Sequence, residues 1–295
     1  MHHRATGPVS LRQALAALSL GAAALAAGAE PVAKGAPVPV ELVLGVLPNV
    51  STALLAAQYE PLKRYLERHG GTPVRIVLPA SFKAFFDATL RGDFDLAVAA
   101  PHFARVAQLD ANLQPLVMYE PRISVEFVTL ADTPLAGPRD LRGKTLAFAN
   151  PTSLVALYGQ QWLRSVGLEP GRDVELRNTR TDMGVGRMLL SGDVAAAIMS
   201  GSEMRALPAE EAARLKTVVA FARIPNFIVL GHPRLGPERL ASLKAQLLAF
   251  GADKDQGAAF LKATGVSALV EADEATLREL DPYTAATRRA MGVGP

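Results

Sequence analysis

The sequence KTLAFANPTSLVALYGQQWLRSVGL, residues 144–168, contains three local patterns in a row. A short apolar run typical of a buried strand is followed by a polar turn with Asn150, Thr152 and Ser153, and then by apolar residues at helical spacing. A strand, a turn and a helix of this length form half of a β-α-β unit, which builds a mainly parallel sheet. Thr152 and Ser153 are ordinary helix-capping residues, but a helix start also offers unpaired N–H groups to a ligand.

The same alternation of strand and helix patterns continues on both sides of this stretch. Strand patterns occur at VELVLGVLPN (40–49), VRIVLP (74–79), FDLAVAAP (94–101), VELRN (174–178) and VAAAIMS (194–200). Two segments resemble each other, LRGDFDLAVAAP at residues 90–101 and LSGDVAAAIMSG at residues 190–201. The sequence therefore predicts an α/β protein with two similarly built lobes, each a mainly parallel sheet flanked by helices.

The order of these patterns predicts the domain boundaries. We expect a signal peptide at residues 1–29, the first part of lobe 1 at 30–130, lobe 2 at 131–227, and a return to lobe 1 with C-terminal helices at 228–295. The chain would cross between lobes near residues 128–134 and 223–229, which makes a hinge. Only helices are expected after residue 232, and Pro61 predicts a kink or a restart in the first long helix.

The N-terminus has the order of features found in a secretory signal peptide. Arg4 and Arg12 precede an apolar run at residues 14–27, which ends in the small residues Ala27-Gly28-Ala29. The run is short for a membrane span of about 20 residues. We expect cleavage after Ala29 and release into the periplasm; the alternative is an uncleaved anchor or a disordered tail.

Composition excludes several classes of function. The 295 residues include no cysteine, so disulfides, thiolate metal sites and the lipid-anchoring cysteine of exported lipoproteins are excluded. The net charge of +3 is a mild basic excess and not a nucleic-acid signature. His69 and His232 have no metal-ligand spacing, and no catalytic or cofactor-binding motif is found. We predict a monomer without a metal or other cofactor and without enzymatic activity, although an enzyme on this fold remains an alternative.

Four segments carry a resemblance to a known family. YEPLKRYLERHGGTPVRIV (59–77), LRGDFDLAVAAP (90–101), residues 140–168 and LLSGDVAAAIMS (189–200) resemble, in order and spacing, the periplasmic phosphate/phosphite/phosphonate-binding proteins of ABC transporters. The resemblance covers roughly residues 40–231. It implies a two-lobe, type-2 periplasmic-binding fold that closes on a small solute and delivers it to an inner-membrane ABC permease.

The resemblance also implies a binding site. The tyrosine of the Tyr-Glu-Pro-Leu stretch, here Tyr59, would face the cleft. A Ser/Thr-rich turn that opens a helix in lobe 2 would bind the oxygens of an anion, and the matching residues are Pro151, Thr152 and Ser153. A helix start can hold an oxyanion through free N–H groups and its positive dipole end.

The chain departs from the family pattern at the positions that decide the ligand. The family's Ser-Thr-Ser-Gly run is PTSL here, residues 151–154. The family's cleft histidine falls at Asp182, and an acidic residue of the family falls at Ala195. A carboxylate at Asp182 would repel a phosphonate unless Arg180 or Arg187 paired with it, and it would favour a cationic group.

Other polar residues lie where strands end, which is where ligands gather in parallel sheets. Asn49, Ser51 and Thr52 follow the first strand, and His102 follows the third. Arg122 precedes the expected crossing and is placed to reach an anion. Each has an ordinary structural alternative: a turn and a helix cap for the first three, a core histidine, and a solvent-facing arginine. The alternative for Asp182 is likewise a helix cap.

The sequence therefore predicts a solute-binding receptor of an ABC importer that captures a small oxyanion-bearing ligand between two lobes. Two alternatives stay open besides an enzyme. One is the periplasmic sensing component of a signalling system, and the other is a receptor for an unrelated amine or organic acid.

Overall fold

The computed structural model describes residues 41–148, 150–179 and 182–294. The signal peptide predicted for residues 1–29, the position of Arg180 and the side chain of Asp182 lie outside the described residues. None of the described helices combines the length and the apolar character that a membrane span requires.

The chain builds the first sheet, moves to the second and then returns. The first run contains β1 (Leu42–Val46), α1 (Thr52–Gly70), β2 (Val74–Val77), α2 (Phe82–Arg91), β3 (Leu96–Ala99), α3 (Pro101–Ala111) and β4 (Gln114–Glu120). The second run contains β5 (Ile123–Leu130), β6 (Thr145–Phe148), α4 (Leu154–Ser165), β7 (Glu175–Asn178), α5 (Asp182–Leu190), β8 (Ala196–Ser200), α6 (Gly201–Ala206), α7 (Ala209–Ala212) and β9 (Leu215–Ile224). The returning run contains β10 (Ile228–Gly231), α8 (Pro237–Ala252), α9 (Gln256–Thr264), β11 (Ala268–Glu271), α10 (Glu274–Arg278) and α11 (Asp281–Met291).

The two sheets share one plan. The first has the order β11-β4-β10-β3-β1-β2, with β1 parallel to β2 and β3. The second has the order β7-β6-β8-β5-β9, with β6 parallel to β7 and β8. The strand that follows each crossing, β5 or β10, runs antiparallel to both of its neighbours. We call the first sheet with its helices the first lobe and the second sheet with its helices the second lobe; the two-lobe α/β fold is confirmed.

The first crossing lies earlier than the sequence suggested. β5 pairs along its length with β8 and β9, so it is a strand of the second sheet. The change of lobe therefore falls between Glu120 and Ile123, not at residues 128–134 or at the boundary after residue 130. The error arose because the sheet that a strand joins depends on its pairing partners, which the local pattern does not encode. The second crossing, between Ile224 and Ile228, lies within the predicted range.

The C-terminal region contains one strand that was not predicted. β11 pairs antiparallel with β4, with Leu269 opposite Tyr119, and forms the edge of the first sheet. The expectation of helices alone after residue 232 was therefore wrong. A four-residue edge strand has too little sequence for its alternation to stand out from a helical pattern.

Pro61 lies inside α1, which runs without interruption from Thr52 to Gly70. The predicted restart was wrong because the helix has tertiary support on both sides of the proline. Tyr59, Leu62 and Leu66 are buried along one face of the helix, and their burial offsets the backbone hydrogen bond that proline cannot make.

Helices begin and end where the sequence carries a capping residue. Ser51, Ser81 and Ser153 each accept a hydrogen bond from the N–H three residues later. Gly71 and Gly92 end α1 and α2 in the left-handed conformation, with φ of 62° and 78°. The N-cap residues and the strand ends before them bring several helix starts to the same side of each sheet.

Candidate ligand-binding site

Two neighbouring chambers lie where the first lobe faces the second. The larger, of about 620 Å³, is lined by the start of α1, by Tyr59 and Tyr119, by both crossings, by α6 and by the loop after α9. The smaller, of about 90 Å³, is lined by the ends of β1 and β3 and by the starts of α3, α4 and α6. Five residues line both chambers: Asn49, Ile123, Ser202, Glu203 and Phe227. We refer to these as the large chamber and the small chamber.

Helix starts from both lobes surround these chambers. Ser51 and Leu54 bring the start of α1 to the large chamber. Ser153, Leu154 and Val155 bring the start of α4 to the small chamber. The first N–H groups of a helix have no acceptor within the helix, and the dipole places partial positive charge there. The arrangement therefore favours an anion between the lobes.

The charged side chains around the large chamber are mostly basic. Among its described lining residues, Arg122, Arg205 and Lys262 are basic and Glu203 is acidic. Arg122 forms an ion pair with Glu279, which raises the pKa of the guanidinium and neutralises much of its field. One carboxylate oxygen of Glu203 accepts a hydrogen bond from the N–H of Ser200, at 3.1 Å. With Arg122 paired, Arg205 and Lys262 outweigh Glu203, so the net charge of the chamber lining is positive and again favours an anion.

Two buried tyrosines meet in the wall of the large chamber. The hydroxyl oxygens of Tyr59 and Tyr119 lie 3.3 Å apart, and either one can donate to the other. Burial raises the pKa of Tyr59 to about 12 and also raises that of Tyr119 well above its ordinary value. Both hydroxyls therefore keep their protons at neutral pH, and only one of the two protons is needed for the contact between them.

Thr152 and Ser153 have different roles in the turn before α4. The hydroxyl of Thr152 donates to Oδ1 of Asn150, at 2.7 Å, so it holds the turn together. The hydroxyl of Ser153 accepts from the N–H of Ala156, at 3.2 Å, as an N-cap. Accepting this bond leaves the hydroxyl proton of Ser153 available, and Ser153 lines the small chamber.

His102 connects the lobes without lining either chamber. It is fully buried at the start of α3, and its Nε2 lies 2.9 Å from the carbonyl oxygen of Thr152. A carbonyl can only accept, so Nε2 donates and Nδ1 is unprotonated. Nδ1 is buried and has no hydrogen-bond partner among the described residues. Burial lowers the pKa of His102 to about 4.

The structure brings together five of the residues that the sequence selected. Asn49, Ser51, Tyr59 and Arg122 line the large chamber, and Ser153 lines the small one. Thr52, Thr152 and His102 line neither chamber, so their predicted ligand contact is not supported by this geometry. Asp182 begins α5, and the prediction about its side chain stays untested.

Sequence reasoning missed the residues contributed by distant segments. Tyr119, Phe227, Ser202 and Glu203 line the large chamber but were not selected. One signal was available: Ser200 and Glu203 have the spacing of a capping box, directly after a predicted strand. A helix start at a strand's carboxyl end is a preferred ligand position.

The sequence was also compared with known proteins. A family model described as "ABC transporter, phosphonate, periplasmic substrate-binding protein" matches residues 44–277. The chain belongs to this family. No curated protein sequence matches the chain. The family consists of periplasmic substrate-binding components of ABC transporters, which accords with a cleft between two lobes.

Solved structures similar to this phosphonate-family member share its fold. A binding-protein component of an ABC phosphonate transporter from Pseudomonas aeruginosa is 16% identical with a TM-score of 0.73, covering 86% of this chain and 89% of that chain. PhnD1 from Prochlorococcus marinus, solved with methylphosphonate, is 13% identical with a TM-score of 0.73, covering 86% and 99%. XAC2383 from Xanthomonas citri, solved with ATP, is 19% identical with a TM-score of 0.70, covering 86% and 99%.

Metal-ligating side chains do not cluster in the described part of the chain. His, Asp and Glu side chains there form no group of three or more that could hold a metal ion.

Proposed function

We propose that the protein is the receptor of an ABC importer and captures a ligand bearing a phosphonate-like oxyanion between its lobes. The proposal rests on one observation: the starts of α1, α4 and α6 line two adjoining chambers. Family membership supports the same ligand class, as does methylphosphonate in the structural relative PhnD1.

The oxyanion is held mainly at the start of α4. The hydroxyl of Ser153 and the N–H groups of Leu154 and Val155 supply donors around the small chamber. Asn49, which lines both chambers, adds its amide from the first lobe. Neutral donors and helix dipoles bind the anion without a buried full positive charge, which would cost several kcal/mol to desolvate.

Binding stabilises the form in which the lobes are together. Donors from both lobes contact the same ligand, so the ligand favours the closed state over any state in which one lobe is withdrawn. The hydrogen bond from His102 to Thr152 crosses between the lobes in the same region. The closed surface is then recognised by the inner-membrane permease.

We further propose the features that the sequence predicts for such a receptor. The receptor acts in the periplasm after export by a cleaved N-terminal signal peptide, is not lipid-anchored, and works as a monomer. It has no enzymatic activity and does not bind nucleic acid.

The test is a ligand screen by thermal shift and calorimetry. The ligands are phosphate, phosphite, methylphosphonate, methanesulfonate and, as cationic comparisons, ethylamine and putrescine. A ligand at 100 times its dissociation constant raises the free energy of unfolding by about 2.7 kcal/mol. We expect stabilisation by one or more oxyanions, reduced in a Ser153→Ala variant. Stabilisation by the amines alone contradicts the proposal and favours a receptor for cations, with Glu203 as the binding carboxylate.

A further inference from the structure

The two chambers differ in size and in the chemistry of their walls. The small chamber, of about 90 Å³, has helix starts around it. The large chamber, of about 620 Å³, lies within the range of roughly 300–1,000 Å³ typical of pockets that enclose a drug-sized organic ligand. A phosphate or methylphosphonate ion needs only the small one and leaves the large one to water.

Aromatic surface forms one wall of the large chamber. Tyr59, Tyr119 and Phe227 line it. Phe260 packs behind the two tyrosines, with ring centroids 5.4 Å from Tyr59 and 5.8 Å from Tyr119. The two tyrosine rings are therefore held in place before a ligand arrives. The accessible apolar surface of the chamber comes from residues such as Leu54, which is 47% exposed, and the half-buried Phe227, and an organic group that covers them displaces water.

The same wall contains one hydroxyl proton that has no acceptor among the described residues. The Tyr59 and Tyr119 hydroxyls share a single contact of 3.3 Å, which uses one of their two protons. The tyrosines are only 4% and 2% exposed, so the second proton has little access to bulk water. The same burial limits the access of a ligand to that proton, so the tyrosine pair forms a rigid end of the chamber and the body of the ligand contacts the more exposed lining residues.

We propose that the ligand is an organic oxyanion in two parts, with the oxyanion in the small chamber and a carbon body of six or more heavy atoms in the large chamber. This inference rests on the proposed function. It names the substrate class of that site: phosphonates, or sulfonates and phosphate monoesters of the same shape, with a sizeable apolar or aromatic body. The five residues shared by both chambers make the passage through which the two parts are connected.

A variant that fills the large chamber tests the contribution of the carbon body to affinity separately from that of the oxyanion. Ala263 lines that chamber, is exposed, and contacts Gln58 through its backbone carbonyl, which a substitution retains. Ala263→Trp therefore reduces the space for the body and leaves the start of α4 unchanged. Ala258→Trp is the matched control, because Ala258 is exposed on the same helix and lines neither chamber.

The experiment is calorimetric titration with four phosphonates that share one head: methyl, n-hexyl, cyclohexylmethyl and benzyl. We expect at least one of the larger three to bind ten or more times tighter than methylphosphonate, because burial of six carbons readily exceeds a tenfold gain. Ala263→Trp should weaken that larger ligand about tenfold, with methylphosphonate and the Ala258→Trp control within about threefold of wild type.

Three results would overturn the inference. Methylphosphonate could bind as tightly as all three larger ligands, which would leave the large chamber without a role. Ala263→Trp could lower the affinities for methylphosphonate and for the larger ligands by the same factor, or could lower neither affinity. If no phosphonate binds, and methanesulfonate and benzenesulfonate do not bind either, the proposed oxyanion function itself has failed, and that result is distinct from the first two.

Discussion

His102 is a residue whose environment differs sharply between the folded and the unfolded chain. In the folded state it is fully buried, with a pKa of about 4, and donates to the Thr152 carbonyl. In the unfolded chain its pKa is about 6.5. Between these values the unfolded chain binds a proton that the folded chain does not, so folding becomes less favourable as the pH falls.

We therefore expect the free energy of unfolding to decrease from about pH 6.5 to about pH 4, with His102 contributing on the order of 3 kcal/mol over that range. His102→Gln keeps a donor of similar reach and removes the titration. Urea unfolding at pH 7 and pH 4.5 measures the effect in both proteins. The other histidines are common to both, so an equal pH dependence in the variant would contradict this role for His102.

Ser153 has a structural and a binding role that can be measured separately. It caps α4 as Ser81 caps α2, and both accept from the N–H three residues later. Ser153→Ala and Ser81→Ala should each lower the free energy of unfolding by about 1 kcal/mol. Only Ser153→Ala should also weaken methylphosphonate binding, by about tenfold or more, since it removes a hydrogen bond to a charged group. Equal affinities of the two variants for methylphosphonate would show that Ser153 acts only as a helix cap.

At the scale of elements, the sequence was most informative where a local signal exists. The caps of α1, α2 and α4 follow from a serine hydroxyl at each helix start, and the left-handed turns at Gly71 and Gly92 follow from glycine, which has no Cβ to oppose a positive φ. β5 and β11 were misassigned because their places depend on strands more than 60 residues away in sequence. Local propensity cannot rank such pairings.

Helix α11 of the first lobe contacts α4 of the second through aromatic side chains. The rings of Tyr283 and Tyr158 are stacked with centroids 4.4 Å apart, and the Tyr283 hydroxyl donates to Oε1 of Gln161 at 2.6 Å. A stacked pair of this kind contributes roughly 0.5–1.5 kcal/mol beyond its buried area. These contacts hold the lobes together at a distance from both chambers.

Tyr283→Ala should therefore weaken ligand binding about threefold to tenfold without a lost ligand contact, because closing the lobes becomes more costly. The unliganded variant should also show a larger radius of gyration by small-angle X-ray scattering. Arg289→Ala, an exposed substitution on the same helix, is the control. An affinity and a radius equal to those of wild type would show that α11 does not influence closure.

At the scale of the whole molecule, the proposed binding site is assembled from three runs of the chain. Tyr119 and Phe227 become neighbours because β4 and β10 are adjacent strands, with the Tyr119 N–H donating to the Phe227 carbonyl at 2.9 Å. The packing of α1 on the same sheet brings the Tyr59 hydroxyl to 3.3 Å from that of Tyr119. The sequence could select Tyr59 and Ser153 through the family resemblance. It could not select Tyr119 or Phe227, because nothing in their local sequence distinguishes them from core residues.

Closure of the two lobes is the global motion that this architecture predicts. Two crossings connect the lobes, at residues 120–123 and 224–228, and both border the large chamber. Addition of a bound phosphonate should reduce the radius of gyration in scattering experiments, because the ligand favours the state in which both lobes contact it. An unchanged radius at saturation would indicate that the ligand contacts one lobe only.

The position of a bound oxyanion tests the central claim most directly, and a crystal structure with methylphosphonate measures it. The account predicts the phosphonate group in the small chamber, with its oxygens within about 3.2 Å of the Ser153 hydroxyl and of the N–H groups that open α4. A phosphonate bound outside both chambers, or both chambers empty of it at saturating concentration, would contradict the account.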